Sequence, residues 1–93
     1  MELELRHLKV MCAIADAAGI GRAAAALGYS QPALSTQLRR IERHFGQPLF
    51  VRTASGVSPT PYGVGVLAQA RDVLARAGAI GRGADAGDGA APP

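Results

Sequence analysis

The chain has 93 residues, a net charge of +3, one cysteine, two histidines and no tryptophan. That length allows one small domain whose core is marginal alone and would be helped by pairing into a dimer. A single cysteine excludes an intrachain disulfide, no apolar run approaches the roughly 20 residues that span a bilayer, and no signal peptide opens the chain, so a cytoplasmic protein away from membranes is expected.

Leu5, Leu8, Met11, Cys12 and Ala15 mark an amphipathic first helix over residues 5 to 17, bounded by Gly19 and Gly21. Cys12 falls on its apolar face and reads as a small buried hydrophobe. His7 and His44 stand at no ligand spacing from it, so neither a metal nor a cofactor is expected. A short second helix follows over residues 22 to 27, where four consecutive alanines combine high helix propensity with little bulk and allow close crossing. Gly28 ends it, and Tyr29 is placed to act as a hydrophobic staple. The turn is three residues long: Gly28, Tyr29 and Ser30.

Ser30 is a good N-cap and Pro32 sits in the first turn, so a third helix begins at Gln31. Leu34, Leu38, Ile41 and Phe45 recur at i, i+4, i+7 and i+11, one apolar stripe on a helix. Pro32, Thr36, Arg39 and Arg43 repeat that spacing about 200° away, with Gln31 and Ser35 beside them. On an arbitrary helix such a face is simply solvated. Three features favour DNA here. The groups nearest the N-terminus are short hydrogen-bonding side chains that suit base edges or phosphates, with arginines further along. Glu42 is the only carboxylate between Asp16 and Asp72. The preceding helix and glycine turn complete a helix-turn-helix, although an incidental helical hairpin would share that segment.

Gly46 caps the third helix and Pro48 prevents its resumption, after which residues 49 to 52 read as a short strand. Residues 53 to 56 are turn material and Val57-Ser58 can return as a second strand. In that position the hairpin is a wing, with Arg52, Thr53 and Ser55 placed to meet phosphate or the edge of a minor groove. A plain surface hairpin with a solvated Arg52 would look the same. Thr60 then caps a fourth helix with Pro61 at its first position. Val66, Leu67, Ala70, Val73, Leu74 and Ala77 supply a stripe wide enough for both the core and a dimer partner. Gly63 and Gly65 weaken the start of this helix and permit close approach.

The organisation expected is a winged helix-turn-helix over residues 1–59, a linking and dimerising helix over 60–77, and a disordered tail over 78–93, where glycine and alanine dominate. The fold class is mainly α with a small β-hairpin wing. Between residues 20 and 56 five arginines, Arg22, Arg39, Arg40, Arg43 and Arg52, face Glu42 alone, a local charge of +4 where a DNA backbone would lie.

The chain resembles the N-terminal winged helix-turn-helix domain of LysR-type transcriptional regulators. The likeness rests on Leu5-Arg6-His7-Leu8, Arg22-Ala23-Ala24 and Ser30-Gln31-Pro32-Ala33-Leu34-Ser35, and continues through Leu38, Glu42, Gly46, Pro48-Leu49-Phe50, Arg52-Thr53, Thr60 and Gly63. It implies a bacterial or archaeal regulator that dimerises through the fourth helix and lays two recognition helices in successive major grooves of an interrupted palindrome. Gln31, Pro32, Ser35 and Thr36 match the family's groove-facing positions, and Arg52 and Thr53 its wing. Gly19 and Gly21 replace the family's usual hydroxyl residues before the second helix. Thr36 is shorter than the arginine common there, which weighs against a direct guanine contact. Met11 replaces a common aromatic. The family's long effector-binding region has no counterpart within these residues, so either an excised domain or a naturally short protein is expected, and a small-molecule effector only if a further domain exists.

Two other classes compete. An interaction protein would pair through the fourth helix with a full-length relative and alter its DNA binding. An enzyme would need paired acids, a metal cluster or a phosphate loop, and the sequence offers none.

Overall fold

The structure, a computed structural model, describes residues 1–82. It consists of α1 (Leu5–Ala17), α2 (Ile20–Leu27), α3 (Gln31–Phe45), β1 (Phe50–Thr53), β2 (Gly56–Pro59) and α4 (Pro61–Ala79). This is the mainly helical, winged arrangement expected. α1 packs against α2, α3, α4 and β2. Around it Val10, Met11, Ile14, Leu34, Ile41 and Leu49 are fully enclosed.

Contact from several sides explains why the buried face of α1 is wider than its periodicity suggested. His7, Val10 and Ile14 are buried with Leu8, Met11 and Cys12, whereas Leu5, expected on that face, is 46% exposed. The helix start was also unmarked in the sequence. The Glu4 backbone N–H donates to His7 Nδ1 at 2.9 Å, so the third residue of the helix reaches back to satisfy an otherwise orphan donor.

α2 begins at Ile20, two residues before the expected start. α1 stops at Ala18, which adopts a left-handed conformation (φ 55°, ψ 31°), and the extended Gly19 then opens α2 with its carbonyl accepting from Ala23 N–H at 3.1 Å. Gly-Ile-Gly has the composition of a turn, yet burial of Ile20 in the core draws it into the helix. Tyr29, expected as a staple, is 38% exposed and stands outside the core cluster.

α3 starts where its cap predicts, with Ser30 Oγ accepting from Ala33 N–H at 3.2 Å. Leu34 and Ile41 of its stripe are fully buried, and Leu38 and Phe45 pack against the core from its margin. The hairpin pairs Phe50 with Pro59 and Thr53 with Gly56, one residue later than expected in its first strand. Phe50 and Val57 turn inward. Gly56 has φ 146°, and a Cβ there would collide with the Ala18 carbonyl oxygen, which instead accepts from Val57 N–H at 3.0 Å. The wing is thereby tied to the corner between α1 and α2.

α4 opens on Thr60, whose hydroxyl accepts from Gly63 N–H and donates to the Pro48 carbonyl, both at 2.9 Å. A Cβ at Gly63 would meet the Leu49 carbonyl, so the expected close approach occurs at Gly63, while Gly65 faces open space. The helix runs to Ala79, past its expected end at 77 and into the segment expected to be disordered. The rest of that tail, residues 83–93, lies outside the described residues.

Candidate nucleic-acid interface

The first turns of α3 present Gln31, Pro32 and Thr36 to solvent with Ser35 half-buried beside them. Ser30 and Pro32 are the reason these side chains stand at a helix start: the cap removes an orphan donor, and proline occupies a position that needs no N–H. One turn further, Arg39 Nη2 donates to Thr36 Oγ1 at 3.1 Å. The guanidinium is therefore held back along the helix by the Thr36 hydroxyl.

A cleft of about 200 Å³ separates α3 from the wing. Exposed Arg39 and Arg52 border it, and Leu38, Phe50 and Val57 contribute its apolar lining. Two cations on opposite walls of one cleft, with no acid between them but Glu42, suit an anionic strand running along its mouth. On the other flank of α3, Arg40, Arg43 and His44 line a second hollow with Met1. The structure thus groups four of the five arginines about α3, with Arg43 bordering hollows shared with Arg40 and with Arg39. Thr53 and Ser55 are exposed at the tip of the wing.

Arg22 is placed differently. Its Nε donates to the Ala17 carbonyl and its Nη2 to the Ala18 carbonyl, both at 2.8 Å. These are C-terminal carbonyls of α1, whose orphan acceptors and negative dipole end attract a cation. Gly19 makes this possible, since a Cβ there would sit 2.7 Å from Arg22 Nη2. Arg22, expected at the DNA backbone, thus also caps α1 and braces the corner on which the wing rests, while its side chain stays exposed with N–H donors to spare.

Sequence reasoning missed Glu42. Its Oε2 accepts from Leu49 N–H at 2.6 Å and Phe50 N–H at 3.2 Å, so a carboxylate on α3 holds the root of β1. Two signals pointed to it: a solitary acid in a basic segment, and two backbone donors after Pro48 that needed an acceptor.

The six apolar residues expected to form a dimer face divide into two groups. Leu67 and Ala70, 5% and 3% exposed, belong to the core of this chain, and Val66 and Leu74 pack against it. Leu67 and Ala70 are left with almost no surface to offer a partner, whereas Val66, Leu74 and Ala77 are half-buried. Val73 is 43% exposed, and Tyr62 and Ile80 lie on the same outer flank, Ile80 being 81% exposed. Beside Val66 and Val73 an apolar hollow of about 120 Å³ reaches Leu3, Leu8 and Phe45. No helix of the described residues is long and apolar enough to cross a membrane.

Residues 5–64 match the family model for the bacterial regulatory helix-turn-helix protein, lysR family. The small neutral protease regulatory protein of Streptomyces coelicolor (strain ATCC BAA-471 / A3(2) / M145) is 58% identical over 74 residues, which are 80% of this chain. The chain spans only 23% of that relative's length. Among solved structures, the CbnR DNA-binding domain in complex with DNA superposes with a TM-score of 0.80 at 34% identity, covering 90% of this chain and 97% of that one. The BenM DNA-binding domain on benA site 1 DNA gives 0.79 at 31% identity, covering 84% and 88%.

Proposed function

The chain belongs to the lysR family of bacterial regulatory helix-turn-helix proteins, and from that premise we propose that it binds an interrupted palindrome in double-stranded DNA as a homodimer paired through α4. One observation carries the reading. The Ser35 hydroxyl and the cations Arg39 and Arg52 line a single open cleft, and Gln31 and Thr36 stand exposed on the same first turns of α3, which supports base-reading and phosphate-holding groups addressing one ligand. Gln31, Ser35 and Thr36 read base edges, and Pro32 packs beside them in the groove. Arg39 contributes from the next turn. Arg40, Arg43, Arg52, Thr53 and Ser55 hold backbone, which sets affinity and register but carries little sequence information. The outer flank of α4, with Tyr62, Val66, Val73, Ala77 and Ile80, meets its symmetry mate, which gives each half-site one recognition helix.

DNA selected from a random pool by this chain supplies the probe. Affinity for it should fall with salt, log against log, with a slope of about 0.9 for each phosphate neutralised. Arg52→Ala should lower that slope by about one unit per protomer and weaken all operator variants alike, whereas Gln31→Ala should flatten the preference among single-base variants. A flat salt response, or a complex containing one protomer per palindrome, overturns the reading. Binding that requires a longer relative to be added would replace the homodimer with a mixed one.

A further inference from the structure

Resting on the reading of α3 as the groove element, we infer that Gly21 sets the base preference of Gln31 without itself touching DNA. Gly21 lies in the first turn of α2 and Gln31 at the first position of α3, and the turn between the helices brings them together. A Cβ at residue 21 would lie 3.1 Å from Gln31 Oε1 and 3.7 Å from Gln31 Cδ, with nothing else inside 4 Å. The end of the exposed Gln31 side chain therefore lies close against residue 21, where a Cβ would require it to give way by a few tenths of an ångström.

The missing side chain has no backbone purpose. Gly21 is helical and is not among the glycines with positive φ, so any L-residue could adopt its conformation. Glycine inside a helix is otherwise among the least favourable residues. What its absence supplies is that close approach. A carboxamide carries two donors and one acceptor in a plane, and a bidentate contact with adenine demands that plane in one orientation. The neighbour that must yield to a Cβ is the free end of a flexible side chain and not backbone, so a substitution shifts the carboxamide and leaves the fold in place.

With glycine the amide of Gln31 lies close to α2, and a larger residue moves it away from residue 21. Gly21 is a positioning residue for specificity.

The test compares the unaltered chain with Gly21→Ala, Gly21→Thr, Gln31→Ala and the Gly21→Ala/Gln31→Ala double variant. Each is used to select DNA from one random pool and is then titrated against single-base variants. At the base pair whose preference collapses in Gln31→Ala, Gly21→Ala should change the ratio of favoured to disfavoured base by about fivefold or more, and the double variant should match Gln31→Ala. The thermal midpoint of Gly21→Ala should be no lower than that of the unaltered chain, since alanine is the better helix former. In the free protein the side-chain amide resonances of Gln31 should shift in both Gly21 variants.

Preferences unmoved by Gly21→Ala while Gln31→Ala alters them overturn the inference and leave DNA recognition standing. Equal shifts with and without Gln31 overturn it too, because the effect would not pass through the amide. Failure of the unaltered chain to select any sequence overturns the reading beneath it.

Discussion

α3 and α4 begin alike and end in different uses. Each has a hydroxyl N-cap, Ser30 or Thr60, accepting from the backbone N–H three residues on, and each has a proline in its first turn. Each buries one stripe in the common core, Leu34 and Ile41 on one helix and Leu67 and Ala70 on the other. The faces turned outward differ. α3 shows Gln31, Thr36, Arg39, Arg40 and Arg43, while α4 shows Tyr62, Val73 and Ile80. Capping decides where a helix starts, and the outward composition decides what it meets: water and phosphate for one, another apolar surface for the other.

The largest expected effect separates the two apolar layers of α4. Leu67→Ala should cost about 2–5 kcal/mol of folding stability, read from urea unfolding, because it empties a site in the core. Val73→Glu should leave the monomer's stability within about 0.5 kcal/mol and abolish dimers in sedimentation, because its side chain is exposed in a single chain. If Val73→Glu unfolds the chain or leaves the dimer intact, the outer flank of α4 is not an interface and the contrast with α3 fails.

A smaller effect is expected where α3 holds the wing. Glu42→Ala leaves the Leu49 and Phe50 N–H groups without their carboxylate, a loss of about 1–3 kcal/mol. It should also reduce the benefit of Arg52 to DNA affinity, since the strand that carries Arg52 is no longer anchored at its root. Additive losses in Glu42→Ala/Arg52→Ala would show that the wing needs no such anchor.

The third prediction concerns α1, whose start is built unlike the other two. Hydroxyl caps do not titrate, whereas His7 does. Burial first, and then the charge of Arg6, hold the His7 imidazole below its ordinary pKa of 6.5, so the neutral ring that accepts from Glu4 N–H is the folded form. Below the unfolded pKa the open chain binds a proton that the folded chain resists. Stability from this group is therefore complete above about pH 6.5 and is lost as pH falls toward the lowered folded pKa. The urea midpoint should decline between about pH 7 and 5, and His7→Gln, which keeps an acceptor at that position, should flatten the decline. An unchanged slope in His7→Gln would assign the dependence to other groups.

What could be read from the sequence was whatever its own neighbours settle. Ser30, Pro32, Gly28, Gly46, Thr60 and Pro61 act on groups within about four residues, so α3 and the start of α4 were located by composition alone. The α3 stripe was equally legible, because helical periodicity sorts residues onto faces without reference to the partner. The expectation of a groove-facing set at Gln31, Ser35 and Thr36 followed from that sorting; Gln31 and Thr36 are exposed and Ser35 is half-buried.

Tertiary structure decided the rest. Periodicity shows which residues are apolar, not which of two apolar layers reaches the core, so it could not divide Leu67 from Val73. Composition could not show that Ile20 extends α2, because the gain comes from a core built by other elements. Charge counting could not show that Arg22 also donates to two carbonyls at the end of α1, a local acceptor site that exists only once the corner has folded. Glu42 and Leu49 are seven residues apart and Gly21 and Gln31 ten, with a turn between each pair. Contacts across a turn depend on the angle at which two elements meet, and that angle is set by packing of the whole core.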